Sequence, residues 1–545
     1  MRTQNEIGGA ASFEARVDAS YRDKPADAGL TSQIIIVGAG ISGIGMAIEL
    51  KRRKIEDFIL LEAAEDLGGT WRDNIYPGVA VDIPSFSYSF SFEPNPNWSR
   101  VFAPGAEIKR YVQHCADKYA ISPHIRYRAE VKQAVFDPQA SLWSLYLADQ
   151  RVLRARFVIA ATGILNQPIL PDMAGLATFQ GKMFHTKFWD HAHDLSGQRV
   201  AIIGTGASAV QVVPVIAPCV QQLDVYQRTP IWILPKVDPQ LPERARQIFK
   251  RLPASQAAIR LLIDTGMEIG YAATVYYKKL PGLTRLAEAN ALRYLKSQVA
   301  DPILQEKLTP RYGFGCKRPA ISNTYLATFN RDNVKLRTEG IDHLDAHGIV
   351  SCDGVRRAYD TIILATGFKT QELGNNPSFE VYGLGGLELG HFWQAHRYQA
   401  FNGVSVPRFP NLFLTFGPYS GGLNWFTMIE ANSLYIGRCL QRALQQRAVY
   451  VEVKQEYHDR YFQLMLKKSR NTLFKNGPCA GSRSYYFDHH GDASLPTPFP
   501  PAWRWLRVRL TSLDSHHYAR MAPVMTGLPR TEQADRADAI LTADR

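Results

Sequence analysis

Two stretches of the chain carry the same order of apolar patterns. Ile34-Ile35-Ile36-Val37 is an unbroken apolar run of strand length; Ile44, Met46, Ala47 and Leu50 then recur along one helix face, and Phe58-Ile59-Leu60-Leu61 is a second apolar run. Short runs with no polar alternation predict strands buried on both faces, as in a parallel sheet covered by helices. The order returns in Arg199-Val200-Ala201-Ile202-Ile203, the helix-spaced Val210, Val212 and Val213, and Gln222-Leu223-Asp224-Val225-Tyr226. Phe157-Val158-Ile159-Ala160-Ala161 and Thr361-Ile362-Ile363-Leu364-Ala365 each run on into Thr-Gly and predict late buried strands. From about 238 to 308, an Ala/Leu/Arg/Lys-rich stretch with three-four apolar spacing predicts helices.

Each strand-to-helix junction is rich in glycine. Gly38-Ala39-Gly40-Ile41-Ser42-Gly43 fits G-x-G-x-x-G. Gly38 permits a tight turn, Gly40 lets backbone approach a pyrophosphate, and Gly43 lets helix and strand pack closely, with Ser42 in the first helical turn. Glu62 ends the second strand, where a carboxylate accepts from ribose hydroxyls. Gly204-Thr205-Gly206-Ala207-Ser208-Ala209 is a G-x-G-x-x-A variant, followed on its helix by Gln211. Its strand end carries Gln227-Arg228-Thr229 instead of an acid. A carboxylate there would repel a 2′-phosphate, whereas Arg228 can pair with one and Thr229 can donate to it. The first site therefore reads as FAD and the second as NADPH. The fold class is α/β: two Rossmann-like dinucleotide-binding domains, FAD and NADP, with a helical insertion in the NADP domain.

A chain of 545 residues exceeds one simple core. The expected division is an arm over 1–32, the FAD domain over 33–167, the NADP domain over 168–237, the insertion over 238–308, the NADP domain again over 309–385, the FAD domain again over 386–531, and a polar tail over 532–545. No signal peptide or transmembrane run is read, so the default location is cytoplasmic. The net charge of +13 comes without the basic-aromatic interleaving of a nucleic-acid platform. Trp503-Arg504-Trp505-Leu506-Arg507-Val508-Arg509-Leu510 could touch a membrane surface but reads better as a short edge element with a solvated basic face. The six cysteines, Cys115, Cys219, Cys316, Cys352, Cys439 and Cys479, form no C-x-x-C pair; buried free thiols are expected, and no metal site.

Phe179-Gln180-Gly181-Lys182-Met183-Phe184-His185-Thr186-Lys187-Phe188-Trp189-Asp190 fits F-x-G-x-x-x-H-T-x-x-W-[P/D] and resembles the fingerprint of Baeyer–Villiger monooxygenases. Gly68-Gly69-Thr70-Trp71, Tyr76-Pro77-Gly78 and Val81-Asp82-Ile83 resemble that family's flavin-flanking loop, and Gly315-Cys316-Lys317-Arg318-Pro319 resembles the segment with its catalytic arginine. The resemblance spans roughly residues 33 to 430. Arg72-Asp73 departs from it, standing where many ketone-converting relatives carry an aromatic pair. A plain packing role for His185 and Trp189, four residues apart on one helical face, stays open beside this reading.

The resemblance implies a flavin monooxygenase that uses FAD, NADPH and O2 to convert a small-molecule ketone to an ester or lactone through a peroxide at flavin C4a. It implies Arg318 and Asp82 as the catalytic pair, a guanidinium beside an oxygen anion and the carboxylate that holds it. Thr70, Trp71, Asp73, Asp82, Tyr88 and Trp425 join the cofactor-binding set, as do Ser208, Gln211, Lys317 and Arg318, with Lys317, Arg228 and Thr229 on the 2′-phosphate. His185, Thr186 and Trp189 take an interdomain role. Leu423-Asn424-Trp425-Phe426 and Ser484-Tyr485-Tyr486-Phe487 are candidate pocket walls. N- or S-oxygenation is the alternative, and a flavin-bearing redox partner without oxygenation a further one; which ketone is converted is not read, nor is the oligomeric state.

Overall fold

The computed structural model describes residues 30–520. Two sheets dominate it, the first mixed and the second parallel. In the first sheet the strand order is Glu380–Tyr382, Val131–Asp137, Leu142–Leu147, Val152–Ala160, Ser32–Val37, Phe58–Leu61 and Ile125–Arg126, with Leu412–Leu414 also pairing Val152–Ala160. The glycine strand Ser32–Val37 runs parallel to both neighbours, Ile34 opposite Phe58 on one side and Phe157 on the other. It begins at Ser32, so the last residue assigned to the arm is already sheet. Residues 1–29 of that arm, and the tail, lie outside the described residues.

The second sheet is all parallel, in the order Val334–Arg337, Gln222–Tyr226, Arg199–Ile203, Thr361–Leu364 and Lys182–His185. The apolar runs behave as two-sided burial predicts: Ile34, Ile35 and Ile36 are fully buried, as are Val200, Ala201 and Ile202. In both sheets the glycine strand lies between the strand that ends in Glu62 or Arg228 and the strand that ends in Ala-Thr-Gly. Between the two parts of the second sheet come helices Glu243–Arg251, Pro253–Val275, Pro281–Gln298 and Pro302–Leu308. The longest docks on the first unit: Gln256 donates to Asn95 O at 2.8 Å and Arg260 to Ser89 O at 3.0 Å.

Two expectations need correction. Pro501–Leu510 is an α-helix, not an edge element with a solvated face. Arg504 is buried and donates to Asn402 O at 2.9 Å, Val508 is in the core, and Arg438 donates to Val508 O at 2.7 Å. Among the cysteines, Cys115 and Cys439 are buried free thiols, but Cys219 and Cys352 are exposed, and Cys316 and Cys479 are joined in a disulfide across a sequence separation of 163. Spacing rules see only cysteines near in the chain. Among the described residues, no helix is long and apolar enough to cross a membrane.

Candidate active site

The first glycine turn is built from close approaches. Gly38 has φ 109, and a Cβ on it would stand 2.6 Å from Ala161 O; a Cβ on Gly43 would stand 1.8 Å from Gly38 O. Only glycine fits either place. Gly40 caps helix Ile41–Arg52 without any side-chain hydrogen bond, which leaves the first helical N–H groups available to an anion. Ser42 is buried at the helix start. Glu62 is also buried: one carboxylate oxygen accepts from Ala39 N–H at 2.9 Å, the other from Ala64 N–H at 3.1 Å and from Arg72 at 2.8 Å. Arg72 also donates to Asp73 at 2.7 Å. Burial opposes its charge, but Glu62 and Asp73 outweigh it and hold the guanidinium above its ordinary range. Thus Arg72-Asp73, the departure from the family pattern, clamps the acid of the first turn. Thr70 is exposed, and Trp71 stacks edge-on to Tyr88 at 5.7 Å, which stacks edge-on to Phe426 at 4.9 Å.

The second turn repeats this backbone with a more open rim. Gly204 has φ 114, and its Cβ would stand 2.3 Å from Ala365 O, yet a Cβ on Gly206 would meet nothing within 4 Å. Gly206 caps helix Ala207–Ile216 without a side-chain hydrogen bond. Ala207 is exposed and Ala209 fully buried, so alanine serves where the first turn needs Gly43. Thr205 donates to Thr229 O at 2.9 Å and ties the turn to the strand end. Ser208 and Gln211 face the first unit: Ser208 donates to the Tyr76 hydroxyl at 3.3 Å, that hydroxyl to Gln211 Oε1 at 3.1 Å, and Gln211 Nε2 to Ala80 O at 2.9 Å. Burial pushes the Tyr76 phenol up to about 12.

Arg228 is exposed just beyond its strand. Partial shielding and then the charge of Arg483 hold it below its ordinary value, and Lys317 is lowered first by burial and then by Arg228. Among the described residues none of the three side chains has a carboxylate in ion-pair reach. Free helix N–H groups, an open cradle at Gly206 and uncompensated cations have the chemistry a phosphorylated dinucleotide needs.

Arg318 and Asp82 meet where the two units face each other. The guanidinium donates from Nε at 2.7 Å and from one terminal nitrogen at 2.8 Å to the two Asp82 oxygens, and from the other nitrogen to Leu423 O at 3.3 Å. Burial works against this charge, but Asp82 outweighs it and holds Arg318 well above the usual arginine range. Tyr88, Tyr485 and Tyr486 act electrostatically on the pair, and burial keeps all three phenols neutral. Trp425 stacks on Phe416 at 4.4 Å and belongs with Ile164, Met428, Leu495, Tyr485 and Tyr486 to one apolar cluster.

His185, Thr186 and Trp189 sit instead at the linkers between the sheets. His185 ends a strand paired with Thr361–Leu364 and is followed by a single 3-10 turn, so no helical face joins it to Trp189. Its Nδ1 accepts from Lys187 N–H at 3.1 Å, so Nε2 carries the proton shared with Gly367 O at 3.1 Å. Burial lowers this histidine below its ordinary value and favours the neutral ring. Thr186 is buried, and Trp189 packs edge-on to Phe184 at 5.2 Å in the second core. Lys187 reaches Asp73 of the first unit at 3.5 Å. None of the three motif residues touches Asp82 or Arg318. Sequence reasoning missed Arg483 and the Cys316–Cys479 bridge; neither has a local pattern to betray it.

A family described as pyridine nucleotide-disulphide oxidoreductase matches residues 35–265. The chain is 36% identical over 517 residues to a "Baeyer-Villiger monooxygenase" of Streptomyces coelicolor, covering 93% of this chain and 96% of the relative. It is 38% identical over 489 residues to a "Baeyer-Villiger monooxygenase" of Pseudomonas aeruginosa, covering 89% and 91%. Among solved structures, an oxidized steroid monooxygenase bound to NADP superposes with a TM-score of 0.79 at 27% identity, covering 90% of this chain and 99% of that one. The OTEMO complex with FAD and NADP gives 0.79 at 25% identity, covering 90% and 100%.

Proposed function

The chain belongs to the Baeyer–Villiger monooxygenase family, and from that premise we propose that it binds FAD and NADPH and inserts one oxygen atom of O2 beside the carbonyl of a small-molecule ketone. The balance is ketone, O2, NADPH and a proton giving ester or lactone, NADP⁺ and water. The reading includes a cytoplasmic location and a division into FAD and NADP domains along the two sheets.

In the first turn, Gly38, Gly40, Ser42 and Gly43 with the N-terminal N–H groups of helix Ile41–Arg52 would hold the FAD pyrophosphate. Glu62 would take its ribose: a carboxylate offers about four acceptor sites, and Ala39, Ala64 and Arg72 use three of them. Thr70, Trp71, Asp73, Asp82, Tyr88 and Trp425 complete that side. In the second, Thr205, Gly206, Ala207 and Ala209 frame the NADPH pyrophosphate, while Arg228, Thr229 and Lys317 face its 2′-phosphate. Ser208 and Gln211 act through the Tyr76 hydroxyl and fix the two turns relative to each other. Bound flavin supplies the hydride acceptor and the place at which oxygen is activated.

The residues of the chain supply position, charge and dryness. Arg318 keeps its proton in any surroundings and stabilises the anionic oxygen at the reacting centre. Asp82 and Leu423 O occupy three of its N–H groups and fix its plane. Trp425, Phe416, Met428, Leu495, Tyr485 and Tyr486 wall the place against water. His185 holds the linker at Gly367 and takes no proton from substrate. The observation that carries the proposal is the bidentate Asp82–Arg318 pair at 2.7 and 2.8 Å between two dinucleotide turns.

The test is a panel of open-chain, cyclic, aryl and steroid-like ketones with the FAD-loaded enzyme and NADPH, read by product mass. Ester formed in step with NADPH oxidation is expected. Sulfides or amines oxygenated while every ketone is returned unchanged would contradict the proposal.

A further inference from the structure

We propose that Arg483 is a third cation for the 2′-phosphate of the nicotinamide nucleotide, delivered to the second site by the Cys316–Cys479 bridge. This rests on the reading that the second unit takes NADP(H). Arg483 is far from the glycine turn in sequence and belongs to the segment that follows the short helix Leu473–Asn476.

That segment is fastened along the residues leading to Lys317-Arg318. Gly313 N–H donates to Pro478 O at 3.0 Å. The Leu473 side chain would stand 2.9 Å from a Cβ on Gly315, and the Cα atoms of Cys316 and Cys479 are 5.2 Å apart. Trp232, Ala291, Tyr312, Cys316 and Leu473 share one small core beneath. Ser482 N–H then donates to Cys479 O at 3.1 Å, closing a turn in which Ser482 is buried. Arg483 comes next with φ 47, in the left-handed region that non-glycine residues adopt uncommonly. Two residues on, Tyr485 and Tyr486 reach Arg318. One fastened loop, tied to the residues just before Lys317, thus brings Arg483 within electrostatic reach of Arg228 and phenols within reach of the catalytic pair.

Arg228 is repelled by Arg483 and Lys317 by Arg228, and among the described residues none of the three has a carboxylate in ion-pair reach. Arg228 is lowered by partial shielding and by Arg483, and Lys317 by burial and by Arg228. A dianion between them relieves all of these repulsions together, which a neutral ribose hydroxyl cannot do.

The experiment is calorimetric binding of 2′,5′-ADP and of ADP to the FAD-loaded full chain. Arg483→Gln is expected to weaken 2′,5′-ADP about five- to tenfold, the scale of one charge-assisted phosphate contact, and to leave ADP unchanged. Arg483→Lys should keep most of the affinity. Unchanged 2′,5′-ADP affinity in Arg483→Gln, while Arg228→Ala loses it, overturns this inference and leaves the nucleotide assignment standing. If neither variant tells the two nucleotides apart, the assignment itself fails. Cys479→Ser, confirmed folded by its melting temperature, should shift 2′,5′-ADP binding the same way by about threefold or more; wild-type binding would remove the bridge from the account.

Discussion

The two glycine turns share a backbone and differ at their rims. Gly38 and Gly204 have nearly the same φ, 109 and 114, and each presses against the carbonyl of the alanine that closes a buried strand, Ala161 or Ala365. Beyond that they diverge. Gly40 is backed by Gly69, whereas Gly206 faces open space. Glu62 is buried and accepts from two backbone N–H groups and Arg72, whereas Arg228 is exposed, feels the charge of Arg483 and, among the described residues, has no carboxylate in ion-pair reach. Under the proposed function the turn geometry would make a general pyrophosphate cradle, and the strand-end residue with its neighbours would select the nucleotide. Arg318 belongs to neither cradle and is held between them by Asp82 and Leu423.

The largest expected effect lies at that shared residue. Arg318→Ala should lose about 10²–10³-fold in ester formation, the usual cost of removing a preorganised group that stabilises an oxyanion, while FAD stays bound and NADPH is still oxidised. Flavin absorbance and product mass together check it.

Substitutions in the turns separate strain from binding. Gly204→Ala puts a methyl 2.3 Å from Ala365 O at a positive φ, so it should destabilise the fold by upwards of about 2 kcal/mol in thermal unfolding. Gly206→Ala meets no neighbour and should leave stability within about 0.5 kcal/mol while weakening NADPH about tenfold. Equal melting temperatures for the two variants would erase the distinction between a conformational and a contact glycine.

At the strand ends, Arg228→Ala should raise the KM for NADPH about 10- to 30-fold and leave that for NADH nearly unchanged, a contribution of about 1.5–2 kcal/mol. Parallel losses for both nucleotides would mean that Arg228 does not discriminate.

The smallest effect depends on pH, and it adds to that of His516 in the first unit, which burial lowers to about 3. Burial holds His185 below its ordinary value, so as pH falls below about 6.5 the unfolded chain takes up a proton that the folded one refuses. Its contribution to stability is complete above that pH and is lost below it, at no more than about 1.4 kcal/mol per pH unit. His185→Gln should flatten the fall in melting temperature between pH 7.5 and 5.5.

Both glycine turns and their strands were legible in the chain because their causes are local. Strands buried on both faces must be apolar throughout, and a turn at positive φ must be glycine. Arg318 and Asp82 were found through a resemblance, and their contact needed the fold. The misreadings have tertiary causes. Trp503–Leu510 alternates as an edge strand would, but it is helical because Arg504 is anchored to Asn402 and Arg438 to Val508 O. Cys316 and Cys479 pair across the chain, where spacing carries no signal. Arg72-Asp73 stood out as an anomaly, yet its partnership with Glu62 follows from the loop folding back over the first turn. The links of Ser208 and Gln211 to Tyr76 and Ala80, which stand beside their expected place at the cofactor, likewise follow only from the fold.

The most direct measurement is oxygen labelling of a ketone turned over by the FAD-loaded enzyme with NADPH under ¹⁸O2. A fixed guanidinium between two dinucleotide sites predicts one labelled oxygen in each ester molecule and one NADPH consumed for it. Ester without label, or NADPH spent while ketones go unchanged and sulfides become labelled sulfoxides, would contradict it.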